Sequence, residues 1–156
     1  SVTTGVQNTL VGALAGDALT EADANTVLGY GALTTDTLGS QSVAIGYLAL
    51  LSQNFTTATD SFNVAVGSQA GRNVTTGIRN AIVGSLAGDA LQDADLNTAL
   101  GFNALTTDTL GSKSTAIKTS PRLLIASIPQ SGITLAIQSL MDSKTLLWAV
   151  MLVTVV

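Results

Sequence analysis

Short apolar segments bounded by asparagine and glycine recur along the chain, as in "NTLVG" at Asn8, "NTVLG" at Asn25 and "NTALG" at Asn97. Side chains alternate between the two sides of a β-strand, so Ala99 and Leu100 lie on opposite sides of the last segment. Both positions are apolar in every copy. The two sets are Leu10, Val27, Ala44, Ala65, Ile82 and Ala99, and Val11, Leu28, Ile45, Val66, Val83 and Leu100. The pattern therefore predicts strands that are covered on both faces.

These segments recur every 17 residues, apart from one longer step of 21 residues. They begin at Asn8, Asn25, Ser42, Asn63, Asn80, Asn97 and Ser114. A helical-hairpin repeat needs about 34 residues, whereas the Thr, Val and Ile of these segments favour strands. At about 3.3 Å per residue, one period provides roughly two strands of five or six residues and two tight turns. The period predicts an all-β fold, a parallel β-solenoid with coils of about 17 residues.

A glycine stands four residues after the first six segment starts, and an alanine stands three residues after each glycine. The predicted structural repeat residues are Asn8, Gly12, Ala15, Asn25, Gly29, Ala32, Gly46, Ala49, Asn63, Gly67, Ala70, Asn80, Gly84, Ala87, Asn97, Gly101 and Ala104. Glycine lets the backbone bend or approach a neighbour closely, and alanine fits where two strands nearly touch. Asparagine can bond to turn backbone, and stacked copies could form a ladder.

A solenoid strand that is apolar on both faces can fill the inside of its coil with only one of them. The other face must pack on something else, and the simplest candidate is another copy of the chain. The composition agrees with a thin, repetitive core, because the chain has 15 glycines, 4% aromatic residues and 10% charged residues. We therefore predict that copies of the chain associate through this face.

The composition also excludes several kinds of chemistry. The chain has no cysteine and no histidine, so disulfides, thiolate chemistry and a Ser-His-Asp triad are excluded within one chain. Its net charge of −4 gives no reason to expect nucleic acid, which needs clustered Lys and Arg. The most apolar run, Leu146–Val156, is shorter than the roughly 20 residues of a membrane-spanning helix. We predict no catalytic residue, no cofactor, no metal and no membrane insertion.

The segments "NTALGFNAL" and "SVAIGYLAL" resemble the head repeats of trimeric autotransporter adhesins. They resemble the "NTAVGYQAL"-type arrays of bacteriophage tail-fibre proteins more closely, over residues 1–117. The resemblance implies a trimeric, left-handed parallel β-roll. It implies a structural fibre of a virion, a phage tail or capsid fibre that projects outward for host attachment; the alternative is the head of a bacterial trimeric surface adhesin. The implied partners are further copies of the chain, as a homotrimer, and a host cell-surface receptor, at the virion surface or alternatively the bacterial cell surface.

The chain is predicted to divide into a solenoid array over residues 1–117 and an atypical segment over residues 118–156. The opening "SVTTGVQN" matches "NVTTGIRN" at Asn73–Asn80, so we expect the array to be a piece of a longer one. Lys118 stands where the next glycine is due.

Two explanations of residues 118–156 stay open. One is a frameshifted stretch of the same array, because the codons of Trp148 and Ala149 read one frame away can encode only glycine. The other is a different segment that packs as an apolar cap or lies disordered. Peptide mass spectrometry across Ser114–Val156 distinguishes them, because the two explanations give different peptides.

Three further features of the sequence bear on a calcium site, an ice-binding surface and an enzyme groove. The acidic residues Asp17, Glu21 and Asp23 recur as Asp89, Asp93 and Asp95, but they lack the spacing of a calcium loop and are interpreted as solvated turns. The Thr34–Thr35 and Thr75–Thr76 pairs fall at different places in the period, which argues against an ice-binding threonine ladder. A repetitive rod offers no evident groove for an enzyme.

The longer coil is the candidate for a receptor contact. Its four extra residues lie within Leu50–Phe62 and cannot fit the 17-residue circuit. They are predicted to bulge outward while Gly46 and Gly67 keep their places. Loops carry recognition more often than scaffolds do.

Overall fold

The fold is built from β-strands throughout the part of the chain that the computed structural model describes, residues 2–119, 122–127 and 134–136. The strands of these residues are β1 (Thr9–Val11), β2 (Thr26–Leu28), β3 (Gly39–Ser40), β4 (Val43–Ile45), β5 (Thr59–Asp60), β6 (Val64–Val66), β7 (Ala81–Val83), β8 (Thr98–Leu100), β9 (Ser114–Thr119), β10 (Arg122–Ser127) and β11 (Thr134–Ala136). The main sheet has the order β1-β2-β4-β6-β7-β8-β9-β10-β11. The predicted all-β solenoid is confirmed.

Successive coils stack in parallel and in register. Thr26 pairs with Val43, and Val64 pairs with Ala81, so each residue faces its equivalent one coil later. The connecting hydrogen bonds join neighbouring coils, as in Thr26 N to Ser42 O at 2.9 Å. They therefore run along the stacking axis. We number the coils 1 to 6 by their first residues, which are Asn8, Asn25, Ser42, Asn63, Asn80 and Asn97; a seventh begins at Ser114.

The strands are shorter than the two strands of five or six residues predicted for each coil. Each complete coil contributes a three-residue strand to the main sheet, and the second sheet holds only β3 and β5. The reason is that several residues of each coil adopt left-handed backbone conformations, which end the extended segments. In coil 3 and just before it, the non-glycine residues of this kind are Gln41 (φ 61°), Leu48 (φ 55°), Leu50 (φ 50°) and Phe62 (φ 50°).

The repeated glycine and alanine form a tight turn at the end of each main strand. In coil 5 the amide of Ala87 donates to the carbonyl of Gly84 at 3.2 Å, and Leu86 between them has φ 57°. A hydrogen bond over three residues and a positive φ at the third residue are features of a type II turn. The same bond occurs in all six coils, at Ala15, Ala32, Ala49, Ala70, Ala87 and Ala104.

The glycines also form a column in which each residue lies on the backbone of its successor. Gly84 has φ +132°, and a Cβ placed there would lie 2.5 Å from the carbonyl oxygen of Gly101. The neighbouring members Gly12, Gly29, Gly46, Gly67 and Gly101 have the same positive φ and the same close approach to the next coil. Only a residue without a Cβ fits this column.

The repeated asparagines form the predicted ladder, in which each side chain bonds to backbone amide and carbonyl groups. The Asn80 side chain donates to Ala94 O at 2.8 Å and accepts from the amide of Asn97 at 2.9 Å. Asn8, Asn25 and Asn63 bond in the same way to the carbonyl 14 residues later and the amide 17 residues later. The oxygen of Asn97 accepts from the amide of Ser114 at 2.8 Å. Each asparagine therefore ties its coil to the next one.

The longer coil bulges as predicted. Thr56, Thr57 and Ala58 are exposed, whereas Phe55 beside them is only 6% exposed. Gly46 still lies on Gly67, which shows that the four extra residues leave the glycine column undisturbed. The bulge is thus confined to one side of the coil.

The parallel stacking ends at β9. Ala99 pairs with Ala116 and Leu100 with Ile117, so Lys118 follows at the glycine position, and Gly101 packs on its backbone. β9 is six residues long and passes through this position to end at Thr119. β10 pairs with it antiparallel. The parts of the 118–156 segment that would decide between a frameshift and a cap lie outside the described residues.

Candidate functional site

The main strands present a continuous surface on the outside of the solenoid. Side chains alternate from the residue before each segment start to the residue after each repeat glycine, and four of them point outward. We call these positions the outer face. It comprises Gln7, Thr9, Val11 and Ala13; Ala24, Thr26, Leu28 and Tyr30; Gln41, Val43, Ile45 and Tyr47; Phe62, Val64, Val66 and Ser68; Arg79, Ala81, Val83 and Ser85; Leu96, Thr98, Leu100 and Phe102; and Lys113, Thr115 and Ile117.

The outer face holds most of the exposed apolar surface. Within residues 2–118 there are 14 exposed large hydrophobic side chains, and 11 of them lie on this face. They are Val11, Leu28, Tyr30, Tyr47, Phe62, Val64, Val83, Leu96, Leu100, Phe102 and Ile117. Soluble monomers rarely expose a contiguous apolar patch of this extent. Of the two apolar sets in the sequence, the one that contains Val11 and Leu100 therefore faces outward and is left uncovered by the single chain.

The two middle columns of the outer face carry no charge. Among the described residues they contain only Thr, Ala, Val, Leu and Ile, and the basic Arg79 and Lys113 lie at the border. Tyr30 and Tyr47 stack at the opposite border, with ring centroids 5.8 Å apart and an interplanar angle of 15°. Covering this face would bury apolar side chains and leave no carboxylate unpaired.

A buried polar cluster lies inside the solenoid where the longer coil begins. The Asp36 carboxylate accepts from the amide of Gly39 at 3.0 Å and the amide of Phe55 at 3.2 Å. It also accepts from Gln53 Nε2 at 2.6 Å, and Gln53 Oε1 accepts from Asn63 Nδ2 at 2.8 Å. These bonds link three coils and hold Phe55 in place beside the exposed bulge.

The motif search missed this cluster, although the sequence contained a signal for it. Asp36 and Gln53 occupy an interior column whose other members include Leu19, Val74 and Leu91. Asp108 also belongs to this column, but only Asp36 and Gln53 are polar neighbours in successive coils, which indicates a buried hydrogen-bonded pair. The column becomes visible when residues are counted forward from each segment start, because all of its members lie eleven residues after one.

We expect the Asp36→Ala variant to lose about 2 kcal/mol of folding stability, because it leaves the backbone amides of Gly39 and Phe55 unpaired and removes one of the two acceptors of Gln53 Nε2. Chemical denaturation followed by circular dichroism measures the change. Asp108→Ala is the matched control, since Asp108 occupies the equivalent position but bonds only to Gly111 N at 2.7 Å and weakly to Ser114 Oγ at 3.5 Å. Equal losses in the two variants would contradict the role assigned to the cluster.

The acidic turns form bonds between coils. Asp23 accepts from the amide of Val6, and Asp95 accepts from the amide of Ile78, both at 2.7 Å. Hydrogen bonds from the Thr75 and Thr76 hydroxyls lower the pKa of Asp93 below its usual value. In the part of the chain with described side chains, no three acidic residues come together as metal ligands.

Threonines one period apart stack along another side of the rod. The Thr3 hydroxyl donates to Thr20 O at 3.2 Å, and the Thr20 hydroxyl donates to Thr37 O at 3.1 Å. These hydroxyls are thus used within the solenoid. The Thr34–Thr35 and Thr75–Thr76 pairs alone did not reveal this column, which is seen by comparing Thr3, Thr20 and Thr37.

None of the described residues forms a helix of the length and apolar character that crossing a membrane requires. No protein-family model, no curated protein and no solved structure matches this chain.

Proposed function

We propose that this chain is the rod of a structural virion fibre, of the phage tail or capsid type, which projects outward for host attachment. The rod is a homotrimer held together through the outer face. It acts at the virion surface, and its distal partner is a host cell-surface receptor. It has no catalytic role and no cofactor.

The observation that carries the proposal is the apolar column that runs without a break through every coil. Val11, Leu28, Val83, Leu100 and Ile117 repeat at the spacing of the coils and remain between 38% and 53% exposed. A partner that covers all of them must be as long as the rod and must repeat with the same rise. A second copy of the chain meets both conditions.

The exposed area is sufficient for a stable assembly. Eleven half-exposed apolar side chains at roughly 80 Å² each present about 900 Å² per chain, and a stable complex buries about 800 Å² per partner. Three narrow faces can close around one axis and leave none of them in water, in agreement with cyclic symmetry. The resemblance to tail-fibre arrays supports the same number of copies.

Immunogold electron microscopy tests the fibre. Antibodies raised against the array are expected to label thin projections on purified virions. Label on the envelope of uninfected bacteria would overturn the fibre and favour the alternative, the head of a bacterial trimeric surface adhesin. Label on neither would contradict both.

Deleting the four residues Thr56–Thr59 is expected to remove host-cell binding by the fibre while leaving its sedimentation coefficient unchanged, because the deletion restores a 17-residue circuit. Flow cytometry with labelled protein measures binding. Replacing Thr56 and Thr57 with serine keeps the loop length and is the control. Loss of assembly after the deletion would show that the loop is structural and would exclude it as the receptor contact.

A further inference from the structure

In half of the six coils, the two borders of the outer face carry one large and one small side chain. We call the residue before each segment start the leading border and the residue after each repeat glycine the trailing border. The leading border reads Gln7, Ala24, Gln41, Phe62, Arg79 and Leu96, and the trailing border reads Ala13, Tyr30, Tyr47, Ser68, Ser85 and Phe102. These columns vary from coil to coil far more than the middle columns do.

In coils 2, 4 and 5 a large border residue is matched by a small one, whereas coil 3 combines Gln41 with Tyr47 and coil 6 combines Leu96 with Phe102. Coil 2 combines Ala24 with Tyr30, and coil 4 combines Phe62 with Ser68. Coil 5 combines Arg79 with Ser85. A face that met only solvent would have no reason for this compensation, since the two borders of one coil are separated by the width of the strand.

We propose that the leading border of each chain packs against the trailing border of the same coil in the neighbouring chain, so that the assembly is closed and unstaggered. This inference rests on the proposed trimer and specifies its contacts. Ala24 then leaves room for the neighbour's tyrosine, and Ser68 leaves room for the neighbour's phenylalanine. Coil 6 joins Leu96 to Phe102 in an apolar contact.

A stagger of one coil fits less well. In one direction it opposes Ala24 to Ala13, which leaves a void, and Phe62 to Tyr47, which places two large rings in one space. In the other direction the side chains can be accommodated, but a constant stagger cannot close after three steps and generates an open helical filament. Closure and side-chain size together select the unstaggered arrangement.

The chain is well suited to disulfide mapping because it contains no cysteine. We expect the Arg79→Cys, Ser85→Cys double variant to form interchain disulfides on mild oxidation. Its two cysteines cannot bond within one chain, because six residues of extended backbone span about 20 Å and a disulfide needs Cα atoms within about 7 Å. On a non-reducing gel most of the protein is expected to shift to dimer and trimer bands.

Two control variants keep Arg79→Cys and move the second cysteine by one coil, to Ser68→Cys or Phe102→Cys. They are expected to stay predominantly monomeric on the gel. Sedimentation of each unoxidised variant gives the number of copies independently. A trimer that cross-links only in a control, or in none of the three, would overturn the unstaggered border contact and leave the trimer standing. A monomer would overturn the trimer itself, and a series that ends at the dimer in both experiments would replace it with a dimer.

Discussion

The Gly84→Ala variant is expected to lose about 4 kcal/mol of folding stability, a large fraction of the roughly 5–15 kcal/mol that separates folded from unfolded proteins. An alanine at φ +132° would lie in a backbone region that essentially only glycine adopts, at a strain of about 1–3 kcal/mol. Its Cβ would also lie 2.5 Å from Gly101 O, and such overpacking costs about 1–3 kcal/mol. The obstacle is backbone, which can yield only if two coils separate. Chemical denaturation followed by circular dichroism measures the loss.

Gly31→Asn is the matched control for this variant. Gly31 also has a positive φ, of +63°, but its position is occupied in other coils by Leu14, Leu48 and Leu86. A Cβ there would meet only the flexible end of the Leu48 side chain. We expect a change within about 1 kcal/mol. If both glycine substitutions had the same small effect, the close contact between coils would not be what requires glycine in the column.

The Leu100→Asp variant is expected to convert the proposed trimer to monomers at micromolar concentration. Leu100 is 45% exposed in the single chain, and a threefold axis would bring three such positions together. Each buried, unpaired carboxylate costs several kcal/mol, and the three copies also repel one another. Analytical ultracentrifugation measures the mass, and circular dichroism checks that the fold is retained.

Leu110→Asp provides the control for the outer face. Leu110 is 65% exposed but lies off the outer face, so the same chemical change should leave the mass of the assembly unaltered. A Leu100→Asp protein that sediments like the unsubstituted chain would refute the outer face as the contact surface. Dissociation in both variants would point to a general effect of added charge.

The period and the turn residues could be predicted from sequence, because backbone geometry restricts which residues they accept. Gly84 and Ala87 are such positions, since the glycine column accepts no Cβ and Ala87 is fully buried. The short strands could not be predicted, since Gln7, Arg79 and Lys113 adopt left-handed conformations without the glycine that usually marks them. The orientation of the strand was also hidden, because both of its faces are apolar.

The candidate site likewise had features that could be predicted from the sequence and features that could not. An apolar outer column was predictable from the alternation in "NTALG" alone. The border residues had no such signal, since each varies from coil to coil and acquires meaning only beside the opposite border. The Asp36–Gln53 pair had no motif to mark it, because its two residues are 17 apart in the sequence and meet only when successive coils stack.

The direction of the inter-coil hydrogen bonds determines how a single chain responds to tension. Because these bonds lie along the stacking axis, a force that pulls the two ends apart acts on one coil boundary at a time. The boundaries therefore break one after another. Each coil of 17 residues contributes about 5 Å to the length of the stack, and once released it would extend to about 58 Å. The coil that begins at Ser42 would give one longer step. Association along the outer face would place the boundaries of neighbouring chains in parallel, so that they share the load and fail together rather than in turn.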